Sequence, residues 1–339
     1  MKYLENLNHE ILVIFCTIII LSIYLKKISA LLGLYDIPKS LRKIHKKPIS
    51  IINGFFILLT VNLYFLVDIF ILKENYLKFN VIVLILINIF YILGYLDDKK
   101  DLSPKTKSII IVSTLLILIP FDQNLLLKSL IFKDLINREI FLHQSSFIVT
   151  IFFIFIFFNL LNFIDGVNGV AISVSIFFIT VLAFERGTIN NFEILFLSTL
   201  IYCLILNIMN KSFLGNSGVS VISILISVLY IKEYNLNQTL LCDEIFIIFL
   251  IPGIDMTRLV ISRTIKRKSI SDADLNHLHH YFMKIINKKF IFLIYIFISI
   301  FPYLISKILD NFALGILIGI IFYLFILLIL MRSTKKIII

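Results

Sequence analysis

Two adjacent aspartates, Asp97 and Asp98, close an apolar run and are followed by Asp101, Ser103, Pro104 and Lys107. Neighbouring carboxylates repel, so together they suit a bound cation or a polyphosphate–metal complex. Pro104 marks a helix start, and Lys107 falls in that helix's first turn, within reach of a phosphate. An ordinary solvated helix cap explains the aspartate pair, taken alone, equally well. Asn159, Asn162 and Asp165 recur at a spacing of three, which puts them on one helical face. Gly166 and Gly169 flank Asn168; they break that helix, let backbone approach a ligand, and open a new helix N-terminus suited to anions. Two amides and a carboxylate beside an apolar segment are costly without a partner. A third turn, Asn207 to Gly218 with Lys211 and Asn216, reads by itself as a plain connection.

Further along, Asp255, Arg258 and Arg263 precede Asp274, His277, His279 and His280. Three of the six histidines fall within four residues, and His277 and His280 are helical neighbours. A zinc site needs more ligands than that spacing supplies, so a phosphate- or sugar-binding cluster is the preferred reading. Upstream, Asp36, Pro38, Arg42, Lys43, His45 and Pro48 form a basic loop that attracts anions, although alone it would pass for an ordinary membrane-flanking loop.

The elements that carry these residues are membrane spans. Of 339 residues, 60% are hydrophobic and 16% charged, with 33 Phe and no Trp. Soluble domains have roughly 45–50% and about 25%. That balance excludes disordered, collagen-like and disulfide-framed chains and makes a water-soluble globule untenable. The net charge of +11 sits between apolar runs, so it implies topology and anionic ligands rather than nucleic acid. Cys16, Cys203 and Cys242 lie in or beside apolar segments without metal-like spacing. Apolar runs at 11–32, 51–72, 79–96, 108–121, 146–164, 170–185, 192–209, 218–232, 241–263, 290–308 and 312–331 predict an all-α polytopic membrane protein with about 11 transmembrane helices (10–11). The first run reads as a retained helix rather than a cleaved signal, and Leu125–Phe132 is too short to cross and lies at a surface. Alternate connections hold 23 of the 32 basic residues. The positive-inside tendency therefore predicts an N-out/C-in orientation. One transmembrane domain fills 1–339, with cytoplasmic motif loops expected at 33–50, 97–107, 162–169, 210–218 and 264–289.

In order and spacing, these motifs resemble the polyprenyl-phosphate N-acetylhexosamine-1-phosphate transferases, also called glycosyltransferase family 4, throughout residues 36–280. The match runs from Asp36, Pro38, Arg42, His45 and Pro48 through Asp97, Asp98, Leu102, Pro104 and Lys107. It continues with Asn162, Asp165, Gly166 and Gly169, the Phe213–Gly215 turn, Pro252, Asp255, Arg263, Asp274, His277, His279 and His280. The Asp-x-x-His-x-His-His form is similar to the branch using a UDP-N-acetylhexosamine such as UDP-GlcNAc, rather than the peptidoglycan branch.

The resemblance implies attack of undecaprenyl (polyprenyl) phosphate on the sugar-bearing phosphorus of the UDP-sugar, yielding polyprenyl-diphospho-sugar and UMP. That would be the first membrane step of a surface glycan such as O-antigen in lipopolysaccharide, capsule or a teichoic-acid-like polymer. It implies catalytic roles for Asp97, Asp98, Asp165 and Lys107. Substrate contacts would come from Asn168, Lys43, His45, Arg263, Asp274, His277, His279 and His280. Mg2+, with Mn2+ a substitute, would be held by Asn162 and Asn216. The active site would face the cytoplasm from a bacterial inner membrane, with the lipid tail in a groove open to the bilayer; a homodimer is compatible with this. Asn168, Asn53, Leu275 and above all Asn216 depart from the usual residues, the last replacing a carboxylate metal ligand. A weakened homologue serving as a binding or assembly subunit, and a transporter with intramembrane carboxylates, are the alternative readings.

Overall fold

The computed structural model describes residues 14–20, 22–37, 48–72, 76–267 and 276–338. The apolar runs form helices α1 (Ile14–Ile20), α2 (Leu25–Leu32), α3 (Asn53–Val67), α4 (Leu77–Lys100), α5 (Pro104–Leu118), α6 (Ser146–Ile164) and α7 (Val170–Arg186). They continue with α8 (Asn191–Ile208), α9 (Gly215–Asn237), α10 (Cys242–Ile248), α11 (Leu250–Ile265), the short α12 (Leu278–Met283), α13 (Ile291–Leu309) and α14 (Phe312–Ile338). Among the described residues, the only sheets are two antiparallel pairs. One joins β1 (Tyr35–Asp36) to β2 (Ile49–Ser50), the other β3 (Ser129–Phe132) to β4 (Arg138–Phe141).

Among the described residues, eight helices are long and apolar enough to cross a membrane, ten if the bent pairs α1–α2 and α10–α11 each make one span. The protein is an all-α, multi-pass membrane protein. Every run expected from the sequence to span coincides with a helix or a bent pair. The expected eleven exceeds ten by α7 alone, whose 17 residues rise only about 25 Å, short of a hydrocarbon core of about 30 Å. Leu125–Phe132 folds as a 3-10 turn leading into β3.

Helix α9 is the hub. It packs most extensively on α4, with α3, α6 and α7 around it. Small residues make this close approach feasible. The hydroxyls of Ser220, Ser223 and Ser227 donate to carbonyls four residues back (2.6–2.7 Å), so they need no partner on another helix. A Cβ at Gly54 of α3 would lie 2.5 Å from Gly218 N, and one at Gly94 of α4 would lie 2.5 Å from Ser217 Cα.

Because α4 has 24 residues, it rises about 36 Å, more than the hydrocarbon thickness, and carries Asp97 and Asp98 out at its end. The ends of α2, α4, α6, α8 and α11 and the starts of α3, α5, α7, α9 and α13 meet at that same end of the bundle. There Ile52 N donates to Ser212 Oγ (3.2 Å) and Phe213 N to Ser50 O (2.7 Å), tying the first loop to the α8–α9 turn. At the opposite end Tyr234 and Asn235 of α9 hold the β3–β4 hairpin and the turn before it.

Candidate active site at one end of the bundle

The two adjacent aspartates take different positions. Buried Asp97 accepts from Leu102 N at 2.9 Å and pairs with Lys107 Nζ at 2.5 Å, closing the α4–α5 turn. Ser103 caps α5 by accepting from Thr106 N, with Pro104 in the first helical position. Lys107 is therefore engaged by Asp97, and neither residue lines the cavity described next. Asp98 turns the other way. Its two oxygens accept the N–H groups of Asn216 (2.8 Å) and Ser217 (3.0 Å) in the first turn of α9, where a helix dipole favours a carboxylate.

Asp98 borders a cavity of about 760 Å³ that also takes in Asp36, Asp101, Asp165, Asn168, Asn207, Asn210, Asn216, Lys288 and Lys289. Asp165 sits just past the end of α6. Burial, and then the charge of Asp98, push its carboxyl up to about 7. Asn168 is set by its amide, which donates to Asn207 O (3.2 Å) and Asn210 Oδ1 (2.8 Å). Asn207 Oδ1 in turn accepts from Gly169 N (2.6 Å), fixing the α6–α7 turn where Gly169 adopts φ +85°. Asn162, on the same expected face as Asp165, is not among the cavity-lining residues, and Asn159 donates within α6 to Phe155 O.

The histidines are placed by Asp255 of α11. Its carboxylate accepts from Arg258 (2.8 Å), Tyr323 OH (2.7 Å) and Leu278 N (3.2 Å), the last pinning the first residue of α12. His279 is fully buried, and among the described residues neither ring nitrogen has a hydrogen-bond partner. Burial, then His280 and His277, hold it neutral, well below the usual histidine range. Its ring lies against Gly166, where a Cβ would come within 3.0 Å of Cε1. His277 stacks on it (centroids 5.1 Å apart), and His280 lies 4.4 Å away. The Arg263 guanidinium covers the Phe163 ring at 5.1 Å, which in turn lies 5.5 Å from His277. Lys43, His45, Asp274, Pro38 and Arg42 lie outside the described residues.

Among the described residues no three His, Cys, Asp or Glu side chains converge to hold a metal by themselves. The donor set of the cavity nonetheless fits a hard cation. Asp98, Asp165 and Asn216 offer only oxygens, and Asp98 raises Asp165 through like-charge repulsion that a cation would relieve.

A second, apolar cleft of about 1010 Å³ runs between α6, α9, α10, α11 and the hairpin. Leu160 and Arg258 border it near the site; Leu135 and Tyr234 border its far part. Leu160 lies five residues before Asp165, about 7.5 Å along the helix axis. Lys288 and Lys289 carry no motif signal: next to an apolar run, they look like routine flanking charges. Tyr323, 68 residues from Asp255, gives no local pattern either.

These features define a polytopic membrane protein with an acidic, amide-rich site gathered at one end of its helices. The sequence model of "Glycosyl transferase family 4" matches residues 80–233, the stretch bearing Asp98, Asp165, Asn168 and Asn216. A curated protein of Bacillus subtilis (strain 168), described as a probable undecaprenyl-phosphate N-acetylglucosaminyl 1-phosphate transferase, is 27% identical over 274 residues, covering 79% of this chain and 74% of its own. Over these stretches the chain is similar to glycosyl transferase family 4.

Proposed function

We propose that the protein transfers an N-acetylhexosamine-1-phosphate from a UDP-sugar to undecaprenyl or another polyprenyl phosphate at the cytoplasmic face of a bacterial inner membrane. The observation that carries this reading is that α6 borders both a polar cavity with oxygen donors, at Asp165, and an apolar cleft, at Leu160, about 7.5 Å apart along the helix axis. A nucleotide sugar suits the first and a prenyl tail the second, and the two anions must meet between them. The description of the Bacillus subtilis relative supports the lipid phosphate and the sugar-1-phosphate.

In the reaction a lipid phosphate oxygen bonds to the sugar-bearing phosphorus. The bond from that phosphorus to the bridging oxygen breaks, and UMP leaves with the bridging oxygen. A phosphate monoester with its second pKa near about 6 is mostly ionised already, so the residues chiefly position and stabilise. Mg2+, or Mn2+ in its place, would be held by Asp98, Asp165 and Asn216 and would supply Lewis-acid charge for the diphosphate. Asp98 is preset by two backbone amides, Asn168 is presented by its amide network, and neutral His279 offers a ring nitrogen towards the α6–α7 turn. Asp97 and Lys107 keep the α4–α5 turn closed behind Asp98.

A transporter would gather polar groups at the break of a discontinuous helix. The α10–α11 break is instead packed with aromatics, Phe249 lying 4.6–5.0 Å from Phe157, Phe178 and Tyr230. The test is UMP release by purified protein from a panel of UDP-N-acetylhexosamines, with and without undecaprenyl phosphate. Release that requires the lipid supports the transfer; no release with any donor sinks it and favours a non-catalytic subunit.

A further inference from the structure

Three cationic side chains of the motifs at this end of the bundle are committed elsewhere. Lys107 pairs with Asp97, Arg258 with Asp255 and Tyr323, and Arg263 covers Phe163 without lining the cavity. Among the described residues the cavity wall holds four carboxylates, Asp36, Asp98, Asp101 and Asp165, against two cations, Lys288 and Lys289. Among the described residues neither lysine has an ion-pair or hydrogen-bond partner for its ammonium group. Two unpaired lysines on the wall of a polar cavity call for an anion.

The pair is also firmly placed. Asn287 Oδ1 accepts from Lys289 N at 3.1 Å, capping the turn that carries both lysines. Fully buried Ile291 then starts α13. Phe292 packs over Gly169, 3.1 Å from the position of a Cβ there. Gly169 belongs to the turn that presents Asn168. The lysines therefore share a wall with the asparagine network, whereas the apolar cleft ends beside Arg258 and Ile261 of α11.

We propose that Lys288 and Lys289 form a phosphate-binding pair that takes the phosphates of a nucleoside diphosphate group on the α13 side of the cavity. The identity of that group rests on the function proposed above; the site itself rests on the lysines' placement. Both side chains are exposed, so replacing them should leave folding intact.

The experiment compares wild type, the double variant Lys288→Gln/Lys289→Gln and the double variant Lys288→Arg/Lys289→Arg, each as full-length protein in detergent. Calorimetry measures UDP binding at two salt concentrations, and turnover gives KM for the UDP-sugar and for polyprenyl phosphate. The Gln pair should weaken UDP about tenfold, flatten the salt dependence and leave the melting temperature unchanged; the Arg pair should stay within about threefold. If KM rises for polyprenyl phosphate while UDP binding holds, the bound phosphate is the lipid's and the nucleotide assignment is overturned. Binding of UDP and both substrates within about twofold in the Gln pair, or no UDP binding by wild type, also overturns it. Lysine-dependent UDP binding without any UMP release would instead remove the proposed transfer and leave the phosphate site standing.

Discussion

Gly94→Ala is the sharpest probe of how the fold sets the site. Gly94 lies one helical turn before Asp98 on the face of α4 that meets α9. A Cβ there would sit 2.5 Å from Ser217 Cα, where an ordinary contact needs about 3.4 Å or more, so α4 must retreat by roughly 1 Å. Neither side can yield cheaply, because the obstruction is backbone in the most protein-enclosed of the spans. Overpacking of this kind costs about 1–3 kcal/mol. The same retreat stretches the two bonds from Asn216 and Ser217 to Asp98, each a charge-assisted bond of about 1.5–3 kcal/mol. Partial loss of both brings the total to about 3 kcal/mol or more. Displacing a positioned group by about 1 Å can cost about 100-fold in rate. Gly253→Ala is the matched control, since its Cβ would meet only Leu160 Cδ1 at 4.0 Å. The assay is thermal unfolding in detergent together with UMP release. Gly94→Ala should melt well below wild type and lose most turnover, while Gly253→Ala should hold or gain stability. A Gly94→Ala protein with wild-type melting and turnover would refute the claim that this contact places Asp98.

Asp165→Asn should abolish transfer yet raise the melting temperature at pH 8. Its carboxyl is raised from 3.8 to about 7, so the folded state holds the proton more tightly, and ionisation costs stability as pH climbs through that window. The gain should vanish near pH 4, and an equal gain at both pH values would contradict it. Asp255→Asn should lose about 3 kcal/mol, the low end for a broken buried pair because Arg258 is 22% exposed, and should raise KM as α12 loosens; unchanged unfolding and kinetics would remove Asp255 as the anchor of the histidines. Asn216→Asp should lower the half-saturating magnesium concentration for turnover and lower the melting temperature in EDTA, where a third carboxylate would repel Asp98 and Asp165. If the magnesium requirement does not fall, the side chain at 216 is not a metal ligand here.

The helices were legible because lipid leaves the backbone no alternative, so uninterrupted apolarity maps directly onto spans. The motif loops were legible for the complementary reason that Asp98, Asp165 and Asn168 have no business beside hydrocarbon without a partner. What local patterns could not reveal is division of labour between neighbours. Asp97 and Asp98 look alike in sequence, but the turn of α4 sends one to Lys107 and the other to the start of α9. Lys107 reads from the sequence as a residue within reach of a phosphate, and no local pattern there signals its pairing with Asp97. Contacts across long separations, such as Asp255 with Tyr323 or Gly169 with Phe292, leave no trace in periodicity.

The hub helix carries a consequence for how the protein is made. With Gly215, Ser217, Gly218, Ser220, Ser223 and Ser227 along it, α9 is among the least apolar of the spans and the most enclosed by its neighbours. Those small and hydroxylated positions suit protein contacts far better than acyl chains, so α9 arriving alone in the bilayer gains little by staying. Helices α3, α4 and α6 precede it from the ribosome and form the groove it needs. Its integration is therefore a docking event as much as a partition into lipid. Lesions at Gly54 or Gly94, distant in sequence, should surface first as failed biogenesis, with α9 left outside the membrane and the nascent chain handed to quality-control proteases.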